Sequence, residues 1–405
     1  MKIAIFTNNY LPNPYGVPNS IESFRKVFES LGHEIFIFAP NWKGYKDENP
    51  NVFRYPSIDI KYKINFPLPI PYSGKINKIL ENLDIDIIHS QHPNLLGSEA
   101  SKWAKKKNIP IVFTWHTLYD QYAHFAPLIP KKLAAWWMVR VARNYANKCD
   151  AVVTPTPFVR EIIQGWGVTN KNITAIPTGI EERVFANADR ENVKKKYNIA
   201  EDEIALLLIT RFTAEKNVEF LFEAVMEVLK NNPNTKFIVG GEGYLKENLE
   251  KIVSDSKMKD RVIFAGFIDN EIKKDYYAAG DIFVYASKSE TQGMILTEAM
   301  YSGLPIVAVR APGAQDIILD GETGFLVGES SPREIPAMAG CASGAISLGK
   351  EFALAVQKLI DSPELRLKFS ERAKQIAREK YTSKVCAEKM LEVYKKVIKF
   401  SKVQP

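Results

Sequence analysis

The sequence predicts an α/β protein made of two Rossmann-like, doubly wound parallel-sheet domains in succession. Three observations predict it. The chain has 405 residues, 46% of them hydrophobic, and one hydrophobic core stops growing at about 250–300 residues, so two domains are expected. In the first half, short apolar runs alternate with helix-length amphipathic stretches, the pattern of parallel βαβ units. From Ala205 that alternation restarts.

The first set of apolar runs falls at residues 2–7, 34–38, 86–89, 111–114, 151–153 and 173–176. Residues 20–31 read as a helix, with Ser20 at its start and Gly32 just past its end. Residues 41–74 are rich in proline, tyrosine and asparagine and read as irregular surface. The second set of runs falls at 205–209, 236–239, 261–264, 282–285 and 305–308. The expected division is 1–182 as the N-terminal domain and 183–382 as the C-terminal domain, with 383–405 a helix packing back on the N-terminal domain. In open parallel sheets ligands bind beyond the carboxyl ends of the strands, so two such edges facing each other would form an interdomain cleft. The segment 330–350 holds a small-residue run at 338–345 that receives no role.

Composition narrows the class. Cys149, Cys341 and Cys386 form no CxxC pair, which argues against a disulfide framework or a zinc site and for a reducing, cytoplasmic setting. The apolar run at the N-terminus is too short for a signal peptide, and no stretch approaches the ~18 apolar residues of a membrane span. A net charge of +7 and a pI near 8.9 suit an anionic ligand or an anionic membrane surface.

The strongest chemical signal is Glu290-Thr291-Gln292-Gly293-Met294-Ile295-Leu296-Thr297-Glu298, which follows the run at 282–285 and opens a helix. At about 1.5 Å rise per residue the two carboxylates stand roughly 12 Å apart, the reach from ribose to hexose in a nucleotide sugar. A carboxylate accepts two hydrogen bonds from a vicinal diol, which suits Glu298 to ribose. Gly293 lets a pyrophosphate or a sugar edge approach the backbone N–H groups of a helix start. The same pair also reads as two exposed glutamates favoured by the helix dipole. A second constellation, Arg211-Phe212-Thr213-Ala214-Glu215-Lys216-Asn217, follows the run at 205–209. Its arginine and lysine can clamp a diphosphate that leaves with growing charge, with no metal required. Alternatively it is a solvated loop.

In this order and at these strand ends, the two constellations resemble glycosyltransferase family 4 of the GT-B fold. The match continues through Gly303-Leu304-Pro305-Ile306-Val307-Ala308 and Asp320-Gly321-Glu322-Thr323-Gly324-Phe325-Leu326-Val327. The resemblance implies that Glu290 binds the donor sugar and Glu298 the ribose, with Gln292, Gly293 and Met294 in the same donor site. It implies that Arg211 and Lys216 hold the diphosphate. Pro14-Tyr15-Gly16-Val17 stands where the family has its glycine-rich loop, which brings Gly16 near the donor phosphate. Thr114-Trp115-His116-Thr117 resembles the segment whose histidine sits beside the reacting sugar.

A narrower resemblance, through Gly16-Val17, His89, residues 114–124 and Cys149-Asp150-Ala151-Val152, is to bacterial diacylglycerol glucosyltransferases, which use UDP-glucose and a membrane lipid. The segment 131–148 adds a physical reason. Leu133, Trp136, Trp137, Val141 and Tyr145 are expected on one helical face, and Lys131, Lys132, Arg140, Arg143 and Lys148 supply a basic remainder. Such a helix can lie in an anionic interface, or its aromatic face can pack into the domain.

Other motifs are set aside. Asp84-Ile85-Asp86 precedes a strand rather than ending one, and His89 with His92 has no acidic or cysteine partner, so no metal is expected. Gly240-Gly241-Glu242-Gly243 imitates a dinucleotide fingerprint, but Lys246 stands at the third glycine, and no P-loop sequence exists. No nucleic-acid partner is expected. The expectation is a retaining hexosyltransferase using UDP-glucose and a lipid acceptor, cytoplasmic and peripheral on the membrane, with no further cofactor. His116, Glu290, Arg211 and Lys216 would carry the chemistry. The alternatives are the same fold acting on a soluble sugar, polyol or phosphorylated acceptor, and a catalytically silent nucleotide-binding scaffold.

Overall fold

A computed structural model describes residues 1–13, 16–62, 64–120, 130–328 and 342–401. The chain forms two compact units, Met1–Gly179 with Ser383–Pro405, and Ile180–Thr382. In the first unit the order is β1 (Lys2–Phe6), α1 (Gly16–Ser30), β2 (Glu34–Pro40), β3 (Val52–Tyr55), β4 (Ser57–Tyr62), β5 (Ile64–Pro69) and α2 (Gly74–Asn82). It continues with β6 (Ile87–Ser90), α3 (Leu96–Lys107), β7 (Ile111–Thr114), α4 (Lys131–Ala146), β8 (Ala151–Thr154), α5 (Pro157–Gly165) and β9 (Ile173–Ala175). Seven of these strands make one parallel sheet in the order β3-β2-β1-β6-β7-β8-β9.

Because side chains alternate along a strand, the apolar runs supply two faces at once. Ile3, Ile5, Ile35, Ile37, Ile87, Val112 and Val153 form one core with Ile21, Phe24 and Phe28 of α1. Ala4, Phe6, Phe36, Phe38, Ile88, Phe113 and Val152 form the other with α2 to α5. Helix starts carry the side chains that satisfy their orphan N–H groups: Ser73 accepts from Ile76, and Thr156, followed by Pro157, accepts from Val159.

The reading of 41–74 as irregular surface is corrected here. It contains β3 and an antiparallel hairpin of β4 and β5, with Ile58 opposite Leu68 and Asp59 opposite Pro67. In a two-stranded ribbon both strands are edges, so Pro67 and Pro69 sit there without breaking a central ladder.

The second unit runs α6 (Arg190–Lys196), β10 (Ile204–Ile209), α7 (Val218–Asn231), β11 (Thr235–Gly240), α8 (Lys246–Asp255), β12 (Val262–Gly266) and α9 (Lys273–Ala279). Then come β13 (Ile282–Tyr285), α10 (Met294–Ser302), β14 (Ile306–Val309), α11 (Ala314–Ile317), β15 (Gly324–Val327), α12 (Ala342–Asp361) and α13 (Pro363–Lys380). Its sheet is parallel in the order β12-β11-β10-β13-β14-β15. The final helix, α14 (Ser383–Ser401), belongs to the first unit: Cys386, Met390, Leu391, Tyr394 and Val397 enter the core beside α1, with the Tyr394 and Phe28 rings 5.8 Å apart. Each sheet has one switch point, between β1 and β6 and between β10 and β13, where successive crossovers depart in opposite directions.

Candidate active site

At the second switch point the loops leaving β10 and β13 meet. The Glu215 carbonyl accepts from Lys288 N and Ser287 Oγ, each at 3.4 Å. Lys216 closes a short 3-10 turn, and its ammonium is ion-paired with Glu290 Oε1. The same oxygen accepts from Tyr285 OH at 2.5 Å and from Ser287 Oγ at 3.0 Å. All three donors converge on Oε1. Among the described residues Oε2 accepts nothing from the protein. Burial alone would raise the Glu290 carboxyl, but the Lys216 charge and the hydrogen bonds from Lys216, Tyr285 and Ser287 outweigh it and hold the group below its ordinary range.

Arg211 stands at the rim of the same loop, its guanidinium 3.6 Å from Glu215 Oε1, which also accepts from Thr213 Oγ1 at 2.7 Å. Gly293 precedes α10 at φ +75°, where a side chain would be strained and its Cβ would stand 3.0 Å from Leu296 Cδ1. Gln292 is buried, and Met294 is the first residue of the helix. The loop after β14 closes on this segment: Gly313 N donates to Glu290 O at 2.9 Å, and a Cβ at Gly313 would meet Gln292 N at 2.8 Å.

Glu298 lies one turn further along α10 and is only 8% exposed. Its Oε1 is 2.5 Å from Lys273 Nζ and its Oε2 accepts from Tyr277 OH at 3.0 Å. The Lys273 ammonium also sits 5.6 Å above the Phe185 ring. The reading of the two glutamates as exposed helix-start residues therefore fails, since Glu298 is buried, Glu290 is only 14% exposed along its side chain, and both are paired. Sequence reasoning missed Lys273, Tyr277, Tyr285 and Ser287. Ser287 and Tyr285 precede Glu290 by only three and five positions, so proximity could have found them. Lys273 and Tyr277 come from α9, and no local pattern announces them. The glycines that imitate a dinucleotide fingerprint serve packing instead: a Cβ at Gly241, whose φ is +138°, would lie 1.8 Å from Thr210 O, and one at Gly243 would lie 2.3 Å from Phe212 O.

In the first unit, three histidines gather at the carboxyl edge of the sheet. His116 Nε2 lies 2.6 Å from Gln91 Oε1. His89 is held on both nitrogens, by Tyr394 OH at 2.6 Å and Thr114 Oγ1 at 2.7 Å. His92 Nδ1 accepts from Asn8 N at 3.1 Å. Burial pushes His116 and His89 down to about 3 and His92 to about 4, so all three are neutral at physiological pH. With both ring nitrogens engaged, His89 has no lone pair to offer a metal. Asp86 accepts from Lys2 N at 2.8 Å, and among the described residues no group of three or more His, Cys, Asp or Glu side chains converges. Gly16 opens α1, and a Cβ there would meet nothing within 4 Å. Pro14, Tyr15, residues 121–124, the side chain of Lys131, and Cys341 lie outside the described residues.

The α4 face differs from its expectation. Leu133, Trp136 and Trp137 are 54%, 57% and 57% exposed, whereas Tyr145 is buried with Ala134, Ala142 and Ala146 and donates to Gly97 O at 2.8 Å. Twelve residues at about 100° each leave Tyr145 roughly 120° round the helix from Leu133, so it belongs to the core face. Lys132, Arg140 and Lys148 are exposed. The Arg140 guanidinium stands 5.4 Å over the Trp136 ring, and the Arg143 side chain lies along Gly167. Among the described residues no helix is long and apolar enough to cross a membrane.

Two doubly wound parallel-sheet units in succession are the architecture of the GT-B glycosyltransferase class. Solved structures bear out the fold. The sucrose-phosphate synthase of Thermosynechococcus elongatus superposes with a TM-score of 0.76 at 18% identity, covering 98% of this chain and 99% of that one. HepE of Anabaena, in complex with UDP and glucose, gives 0.74 at 17% identity over 98% and 100%. The family model Glycosyltransferase Family 4 matches residues 14–183, and Glycosyl transferases group 1 matches residues 189–337. The alpha-monoglucosyldiacylglycerol synthase of Streptococcus pneumoniae is 32% identical over 333 residues, 80% of this chain and 75% of the relative. That of Acholeplasma laidlawii is 31% identical over 341 residues, 80% and 84%. The chain belongs to glycosyltransferase family 4, the glycosyl transferases group 1, and is a glycosyltransferase of the GT-B type.

Proposed function

We propose that the protein is a retaining hexosyltransferase that moves glucose from UDP-glucose to a hydroxyl of a membrane lipid such as diacylglycerol, working peripherally at a membrane surface. The observation that carries the lipid reading is α4, which turns Leu133, Trp136 and Trp137 outward beside Lys132 and Arg140. Tryptophans above a basic flank suit headgroup depth in an anionic interface. The likeness to two alpha-monoglucosyldiacylglycerol synthases supports the same acceptor.

On this reading the C-terminal unit holds the donor. Glu298 takes the ribose hydroxyls and Glu290 Oε2 a sugar hydroxyl, with Gln292, Gly293 and Met294 at the helix start beside the sugar. An ammonium has three N–H donors, and Lys216 spends one on Glu290, so it can serve the diphosphate together with Arg211. His116, kept neutral, orients the sugar as a hydrogen-bond partner rather than as an acid. The bond from the anomeric carbon to the phosphate oxygen breaks with its electron pair on UDP. The acceptor oxygen bonds that carbon on the same face, and its proton passes to the departing phosphate oxygen. Arg211 and Lys216 stabilise the charge that develops.

The test is transfer from UDP-glucose to diacylglycerol in vesicles containing phosphatidylglycerol, with EDTA present and the anomer read by NMR. The wild type should form the α-glucolipid and float with the vesicles, and Trp136→Ala with Trp137→Ala should reduce both. Transfer only to soluble sugars, or no vesicle binding by the wild type, would replace the lipid acceptor. A strict need for manganese would overturn the metal-free mechanism, and a β-linked product would overturn retention.

A further inference from the structure

The two acids of the donor site are held differently. Glu290 receives three donors on one oxygen, an arrangement that holds Oε1 and leaves Oε2 untethered among the described residues. Glu298 receives one donor on each oxygen, Lys273 Nζ on Oε1 and Tyr277 OH on Oε2. A carboxylate offers about four acceptor positions, so Glu298 keeps one on each oxygen, spaced for the two hydroxyls of a vicinal diol.

Both donors come from fixed positions on α9. The Tyr277 ring lies between Phe283, at 5.8 Å, and Phe185, at 5.9 Å, and Lys273 is steadied between Glu298 and the face of Phe185. With both oxygens tied, the carboxylate plane cannot turn to re-pair with whatever ligand arrives. A ligand lacking one of the two hydroxyls then leaves a desolvated acceptor position unmatched, which is the arrangement that discriminates most strongly between substrates.

We infer that Lys273 and Tyr277 are positioning residues for Glu298, and that the frame they form makes the donor site select a ribonucleotide over its 2′-deoxy counterpart. The inference rests on the reading above in which Glu298 takes the ribose hydroxyls.

The experiment is calorimetric titration of UDP and 2′-deoxy-UDP into the wild type, Lys273→Met, Lys273→Arg, Tyr277→Phe and Glu298→Ala. GDP and ADP with their 2′-deoxy forms are run alongside so that the base is not assumed. The wild type should bind the ribo form roughly 10- to 100-fold more tightly. Lys273→Met and Tyr277→Phe should bring that ratio to within about threefold, and Lys273→Arg, which keeps the charge and can still stack on Phe185 but differs in shape, should restore part of it. A purely structural role would weaken both ligands equally and leave the ratio unmoved. Tyr277→Phe keeps the ring packing, so it decides the matter if Lys273→Met does not fold. If Glu298→Ala abolishes the ratio while the folded Lys273 and Tyr277 variants keep it, the frame falls and the ribose reading stands. If Glu298→Ala leaves the ratio intact, or the wild type shows no preference, both fall.

Discussion

Glu290 and Glu298 stand eight positions apart in the chain, and each is largely enclosed with an ammonium and a phenol of its own: Lys216 with Tyr285, and Lys273 with Tyr277. Breaking such a pair from one side leaves an uncompensated buried charge, which typically costs about 3–5 kcal/mol. For Lys216 that stability effect is joined to a functional one, because the same ammonium is proposed to meet the leaving diphosphate. Lys216→Ala should lower turnover about 100- to 1000-fold in protein that is still folded. Single-turnover transfer at saturating donor checks this, and an unchanged rate in the folded variant would remove Lys216 from the leaving-group clamp. At this scale much of the site was legible. The loops that carry Arg211, Lys216 and Glu290 follow directly from strand ends, and Glu298 lies on the helix that opens just after Glu290, so spacing and chemistry coincide locally. Lys273 was not legible because it meets Glu298 across 25 positions through the packing of α9 on α10.

At the scale of elements, the carboxyl edge of the first sheet places His89, His92 and His116 where burial suppresses their charge. Each has a folded pKa below its unfolded value of about 6.5. Their contribution to stability is therefore complete above pH 6.5 and is lost as the pH falls toward 4, because the unfolded chain takes up protons that the folded one refuses. The slope is about 1.4 kcal/mol per pH unit for each histidine. Urea denaturation of the first unit should show a midpoint lower at pH 5 than at pH 7, and His92→Gln should remove roughly a third of the histidine contribution. A midpoint that rises on acidification would contradict the neutral, buried assignment. The elements also show where a linear reading stops. Parallel strands buried on both faces announce themselves as apolar runs, whereas the β4–β5 hairpin is hidden by prolines that only an edge position permits. On α4, periodicity located the helix but not its faces: Trp136 and Trp137 point outward while Tyr145 fills the core.

For the whole molecule, the restart of the βα alternation at Ala205 made the two-unit organisation readable, because each sheet needs its own core. Each unit is matched by its own family model, residues 14–183 in the first and 189–337 in the second. On the proposed function, the second unit grips a nucleoside diphosphate at both ends with two largely enclosed acids and their lysines. The most direct measurement is the thermal unfolding of this unit with UDP, GDP or ADP, for wild type and Glu298→Ala. A ligand at 100 times its dissociation constant adds about 2.7 kcal/mol of stability. UDP should raise the wild-type transition and lose that effect in Glu298→Ala. If none of the three nucleotides moves the transition, or if Glu298→Ala responds as the wild type does, the claim is wrong.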